Sequence, residues 1–331
     1  MVAVDNPVLA RRYRGGVLES LHRGAWVVVD TGGAVVAAAG DPDQPIFARS
    51  SSKSLQASGV LALGVAESLE LEPAHVAVMV SSHNGETEHV VAAREILGRV
   101  GLDESALQCG HASPMGRPDL PASRICHNCS GKHSGFLAGA VTLEQDPATY
   151  LDPMAPIQQH VRSAVQRIAD VADDRLGVAV DGCSAPTFIL PLRNLALGIA
   201  RIANPTSLAE TDRASAQSIV SAAEAHPSLV AGRSPARFDT AVLETTKGRL
   251  FAKGGADGVQ VIGVRDAGIA FAGKADDGND RGLVPVALQV LAELGHLSDD
   301  ELHELDPWVT SQIRNADGLI VGTQELEPRP L

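Results

Sequence analysis

The stretch Arg49-Ser50-Ser51-Ser52-Lys53-Ser54-Leu55-Gln56 constrains the chain most, because a polar loop gives way there to an apolar helical pattern. Ser50 stands three residues before Lys53, and residues three apart on a helix share a face. A helix beginning near Ser50 therefore lets a hydroxyl and an amine meet without help from distant chain. That is the geometry of a serine nucleophile with its base. An ordinary lysine cannot serve: with a reference pKa of about 10.4, only roughly one in a few thousand is neutral near pH 7. Half-neutralising it takes a shift of about 3 units, roughly 4 kcal/mol, which buried lysines beside other cations reach. The pair thus predicts a desolvated site with a second positive group nearby. The bland alternative is a solvated first turn with a capping serine, and Ser51, Ser52 and Ser54 are competing hydroxyls.

The surrounding pattern is that of an Ala-rich α/β enzyme. A chain of 331 residues can bury about three quarters of its unfolded surface. Aromatic residues make up only 3%, so packing rests on small aliphatic side chains. Runs at 26–29 and 35–39, joined by Asp30-Thr31-Gly32-Gly33, read as a β-hairpin. Residues 55–69 fit a mostly buried helix, and 76–80 a buried strand delivering the polar loop Ser81-Ser82-His83-Asn84-Gly85-Glu86. A helix at 87–100 and an irregular stretch at 101–125 follow. Further helices fall at 135–143, 155–171, 190–202 and 207–225, with a strand and polar loop over 177–186. Three short strands at 249–253, 259–264 and 269–274 precede a helix at 281–294, and the last 30 residues either lie over the body or fray. The expected fold is α+β, an antiparallel sheet that takes in the N-terminal hairpin and is flanked by helices. We expect one domain of two lobes: a sheet lobe from about 8–55 and 235–295, and a mainly helical lobe from about 56–234.

The net charge of −13, with no run of Lys and Arg, argues against nucleic acid and anionic membranes as partners. The first 16 residues carry Arg11, Arg12 and Arg14 but no apolar stretch, and no segment approaches the roughly 18 apolar residues of a membrane span. The expected location is the cytoplasm, where Cys109, Cys126, Cys129 and Cys183 are thiols or metal ligands rather than a disulfide framework.

A second serine and lysine stand out. Ser82 sits at the exit of the 76–80 run, and Lys253 lies in Phe251-Ala252-Lys253-Gly254-Gly255, where glycines let a ligand approach the backbone. Ser-x-x-Lys, an isolated serine, then Lys-x-Gly is the motif order of serine β-lactamases and penicillin-binding proteins. Taken singly, Ser82 reads as a turn residue and Lys253 as an edge-strand lysine. Cys126-x-x-Cys129 with Cys183 resembles half of a zinc site, with Lys132, His133 and Asp181 nearby in sequence. The alternatives are a redox-active pair or inert buried thiols. His22, His75, His160 and His226 carry no signal.

Together, Arg49-Ser50-x-x-Lys53, Ser82-His83-x-Gly85-Glu86, Asn128-Cys-Ser-Gly-Lys-His133, Asp181-Gly-Cys183 and Lys253-Gly-Gly-Ala-Asp-Gly258 resemble the asparaginase II family of the Rhizobium etli type. The match runs from about residue 8 to the helix ending near Leu294. The resemblance implies a fold like that of serine β-lactamases and glutaminases, a homodimer, and hydrolysis of L-asparagine to L-aspartate and ammonia. It implies two Ser-Lys pairs, Ser50 with Lys53 and Ser82 with Lys253, and one zinc ion per chain held by Cys129, Lys132, Cys183 and water. A lysine ligand must be neutral, so the metal has to displace its proton. Cys126 departs from the family pattern and leaves open a disulfide to Cys129 or an altered metal shell; the serine run at 50–52 is a second departure.

In the mechanism this implies, Lys53 takes the Ser50 proton as Oγ attacks the side-chain amide, and Ser82 with Lys253 relays a proton to the departing amine. Backbone N–H groups at Ser50 and near Gly255 are the expected oxyanion donors. Arg49, His83, Asp181, Gly254 and Gly255 form the expected substrate side, with Arg49 for the carboxylate. The zinc shapes the pocket rather than generating hydroxide. The competing readings are a glutaminase or other amidohydrolase, a β-lactamase or peptidase, and a zinc-stabilised amino-acid-binding protein without catalysis.

Overall fold

In the computed structural model, which describes residues 6–309 and 311–327, two neighbouring glycines start the architecture. Gly15 and Gly16, both at positive φ, turn β1 (Val8–Arg14) back onto β2 (Val17–Asp30), the two-residue hairpin that right-twisted strands favour. After β3 (Val35–Ala39) and β4 (Pro45–Phe47) come α1 (Lys53–Leu61), α2 (Val65–Ser68), α3 (Pro73–Met79), α4 (Thr87–Arg99), α5 (Ser130–Thr142) and α6 (Pro156–Ala169). Then follow β5 (Gly177–Val180), β6 (Pro186–Pro191), α7 (Leu192–Ala203), α8 (Glu210–Ala225), α9 (Pro227–Val230) and α10 (Phe238–Thr245). The strands β7 (Leu250–Gly255), β8 (Val259–Val264) and β9 (Ile269–Ala275) lead to α11 (Asp280–Glu293), α12 (Asp299–Glu304), α13 (Asp306–Val309), β10 (Gln312–Arg314) and β11 (Ile320–Leu326).

The main sheet is antiparallel, in the order β10-β11-β1-β2-β9-β8-β7 with β3 beside β2. β2 serves three neighbours: up to Arg23 it pairs with β1, from Gly24 onward with β9, and from Trp26 to Val29 also with β3. Gly24 stands at the changeover because a Cβ there would lie 2.3 Å from the Lys274 carbonyl oxygen. Beyond it the pleat sends Ala25, Val27 and Val29 into one core with the helices, and Trp26 and Val28 into another against α11. Both faces are covered, so β2 reads as an unbroken apolar run. A smaller sheet, β4-β6-β5, lies apart from it.

Two expectations are corrected and one open alternative is decided. The strand expected over 76–80 is not formed: residues 76–79 belong to helix α3, with Val80 capping its end, because Pro73 and a capping box between Glu72 and His75 start a helix and a five-residue apolar run has no periodicity to decide the matter. The helix expected over 55–69 stops at Leu61 and resumes as α2 after Gly64, at φ +73. The C-terminal segment does not fray through Glu327: β11 extends the sheet by pairing with β1. Among the described residues no helix is long and apolar enough to cross a membrane.

Candidate active site

Helix α1 determines the site's character, for all nine of its residues are buried. Lys53 is its first residue and is desolvated along its whole length. Its Nζ donates to the Ser81 carbonyl, to Ser82 Oγ at 3.2 Å and to the Asn128 carbonyl at 3.4 Å, and lies 3.3 Å from Cys129 Sγ. Ser82 follows α3 in an extended segment clamped by backbone bonds: Ser82 N–H to Val230 O, His83 N–H to Asn128 O and Asn84 N–H to Ala231 O. Lys253, on β7, is also fully buried and donates to Ser82 Oγ at 3.1 Å, to Asp239 Oδ2 at 3.1 Å and to its neighbour's carbonyl, Gly254 O. Two amines thus meet on one hydroxyl oxygen, leaving its own proton for a third partner.

Ser50 lines the same cavity, of about 430 Å³, with Ser82, Arg237, Asp239, Gly254 and Gly255. Its hydroxyl makes no hydrogen bond among the described residues, and none links it to Lys53. The competing hydroxyls are placed otherwise: Ser51 donates to Ala48 O, Ser52 to Arg49 O, and Ser54 Oγ is buried without a partner. Gly255 packs against the turn carrying Ser50, where an added Cβ would lie 3.0 Å from Ala48 O.

Burial pushes Lys253 down to about 8, although the Asp239 carboxylate pulls the other way. Burial raises Asp239, but Lys253, Arg237 and the Gly254 N–H outweigh it and hold the carboxyl below its ordinary value. Asp239 also accepts from Gly254 N–H at 2.9 Å.

A model of the L-asparaginase II family matches residues 10–326. The chain belongs to that family. Family membership brings the coarse chemistry with it, that of an amidohydrolase acting on a small molecule. No individual curated protein matches the chain. Among solved structures, a β-lactamase from Mycobacterium bovis is 16% identical with a TM-score of 0.42, covering 82% of this chain and 94% of its own. A protein assigned as a β-lactamase from Bacteroides dorei is 13% identical with a TM-score of 0.41, covering 77% and 87%.

The residues expected to hold a metal meet behind Lys53. Cys129 and Cys183 share a hydrogen bond, and Lys132 Nζ lies 3.3 Å from Cys183 Sγ, all three side chains being buried. The bond from Cys183, together with Lys53, pulls the Cys129 thiol well down, while the same bond and burial push Cys183 up. Burial lowers Lys132, but the Cys183 and Cys129 sulfurs and Asp181 outweigh it and raise it overall. Two contacting sulfurs and an amine make a donor set that fits a thiophilic ion such as zinc, provided the lysine surrenders its proton. Gly131 lets α5 approach α3 closely: a Cβ there would lie 2.1 Å from Val78 O. Cys126 is a free thiol, as are the other three cysteines, so the disulfide to Cys129 that the sequence left open is not formed. Glu86, Glu88 and His89 also bring possible ligand atoms within 4.8 Å of one another, but the Glu86 carboxylate already accepts from the Arg233 and Ser234 N–H groups.

Of the expected substrate-side residues, Gly254 and Gly255 line the cavity and the others do not. His83 is buried, accepts from Gly85 N–H on Nδ1 and contacts Ser130 Oγ through Nε2; burial holds it neutral, well below its usual range. Arg49, at φ +50, is held by Asp181 and Asp257 and lines a neighbouring cavity. Asp239 and Arg237 escaped sequence reasoning because neither stands in a motif, and no local signal marks them.

Proposed function

We propose that the chain hydrolyses L-asparagine to L-aspartate and ammonia through a serine acyl-enzyme. The observation carrying this reading is the meeting of Lys53 and Lys253 on Ser82 Oγ, at 3.2 and 3.1 Å, in the cavity that Ser50 shares. Ser50 Oγ attacks the side-chain amide carbon, its proton passing to Ser82 as the proton of Ser82 passes to a neutral lysine. The C–N bond then breaks while the relay returns a proton to the leaving nitrogen, so ammonia departs rather than an amide anion. Water attacks the ester, gives its proton to the same relay, and the C–O bond to Ser50 breaks as the hydroxyl is restored. Lys253, held at about 8, suits a base working near neutrality. Backbone N–H groups at Ser50 and Gly255 serve the oxyanion.

One zinc ion per chain on Cys129, Lys132 and Cys183 would supply a Lewis-acidic cross-link that fixes the wall behind Lys53. We also propose a homodimer, and the cytoplasm as the location. Ammonia release from L-asparagine and L-glutamine tests the substrate: faster release from asparagine is expected, and a preference for glutamine makes this a glutaminase. S50A should lower the rate at least roughly 1,000-fold, and ammonia release at the parent rate would falsify the nucleophile. A second reading makes Ser82 the nucleophile, favoured by its two amine contacts against none for Ser50. Labelling with a diazoketone analogue of asparagine, followed by peptide mapping, separates the two.

A further inference from the structure

A substrate that is an α-amino acid brings an α-carboxylate, and a carboxylate entering a buried cavity requires a cation or several N–H donors fixed in place. The two lysines are directed at Ser82 Oγ. Arg49 is neutralised by Asp181 and Asp257 in another cavity. Arg237 remains. It stands at the N-cap of α10 and lines the cavity with Ser50 and Ser82. Its Nη1 donates to Asn84 Oδ1 at 2.9 Å and lies 3.6 Å from Met115 Sδ, and no carboxylate pairs with it among the described residues. Asn84 is itself set by donating to Pro235 O at 2.9 Å, which turns Oδ1 towards the guanidinium. A neutral partner thus orients Arg237 without consuming its charge, and a guanidinium has five N–H donors to offer.

We propose that Arg237 is the specificity-determining residue that receives the α-carboxylate of the substrate and so presents the side-chain amide to Ser50. This rests on the amidohydrolase reading of the cavity and narrows its substrates to free α-amino acids, against simple amides and residues within a peptide.

The test compares L-asparagine with 3-aminopropanamide, the same amide without the α-carboxylate, in the parent, R237Q and R237K. R237Q should raise KM for L-asparagine roughly 100-fold with kcat nearly held. Its loss in kcat/KM on 3-aminopropanamide should be smaller by a similar factor, and R237K should recover part of the difference. Thermal unfolding midpoints show whether the variants fold. Equal losses on the two substrates, or an unchanged KM, would overturn the assignment and leave Arg237 as a brace for Asn84. Should the parent release ammonia from neither amide, the hydrolase reading fails separately, and calorimetric titration with L-aspartate decides Arg237 alone. Binding to the parent that is lost in R237Q supports the assignment; equal binding, or none to the parent, overturns it.

Discussion

Lys53 and Lys253 are both buried and both reach Ser82, yet their other neighbours differ in kind. Lys253 faces a carboxylate, Asp239, whereas Lys53 faces two carbonyl oxygens and the Cys129 thiol. A carboxylate carries a full charge and can hold a buried ammonium; carbonyls supply only dipoles. One amine therefore has a dedicated counter-ion on α10, and the other stands at a helix start beside a sulfur of the expected metal site. Under the proposed mechanism, that asymmetry gives two routes for moving a proton on and off one hydroxyl.

Removing the shared oxygen erases the contrast, so of the changes to these two environments S82A should have the largest effect, lowering kcat about 1,000-fold in an ammonia assay. A loss under tenfold would mean that the amines work without it. The pH profile comes next. A base must be unprotonated, so kcat/KM should rise with pH through about 8, the value to which burial brings Lys253. In D239N the carboxylate that favours the charged amine is gone, so burial acts unopposed and the rising limb should move to lower pH. Breaking a buried pair should also cost roughly 3 kcal/mol in denaturant unfolding. A limb that stays in place would assign it to another group. The smallest effect belongs to the sulfur side: C129S leaves Lys53 its bonds to Ser81, Ser82 and Asn128, so kcat should fall less than about tenfold, well below the relay effect. Zinc content measured on the same variant should drop from one per chain towards none. Unchanged zinc would remove Cys129 from the metal site.

Spacing made Ser50 and Lys53 legible, and glycines made Lys253 legible, because both signals are local. The helix at 73–79 was not, since five consecutive apolar residues suit either a strand or a helix packed on all sides. Nor was the direction of Lys53. Shared helical face placed it with Ser50, but the residues before it form a tight 3-10 turn, Arg49–Ser52, and its amine turns to a loop 29 positions onward. Arg237 and Asp239 depend on α10 lying beside β7, a tertiary fact with no counterpart in the order of residues. Arg49 was misleading for a comparable reason: only the fold brings Asp181 and Asp257 to it.

The far end of the chain also bounds the reaction chamber. Trp308 of α13 stands edge-on to Phe238, 5.5 Å between centroids, and lines the cavity holding Ser50 and Ser82. Phe238 sits between Arg237 and Asp239, so an indole more than fifty positions past Lys253 steadies the short segment bearing both groups. The helix carrying that indole packs in turn against α11, which covers one face of the sheet. A fragment cut after α12 would therefore keep its serines and lysines but leave their vessel open on one side.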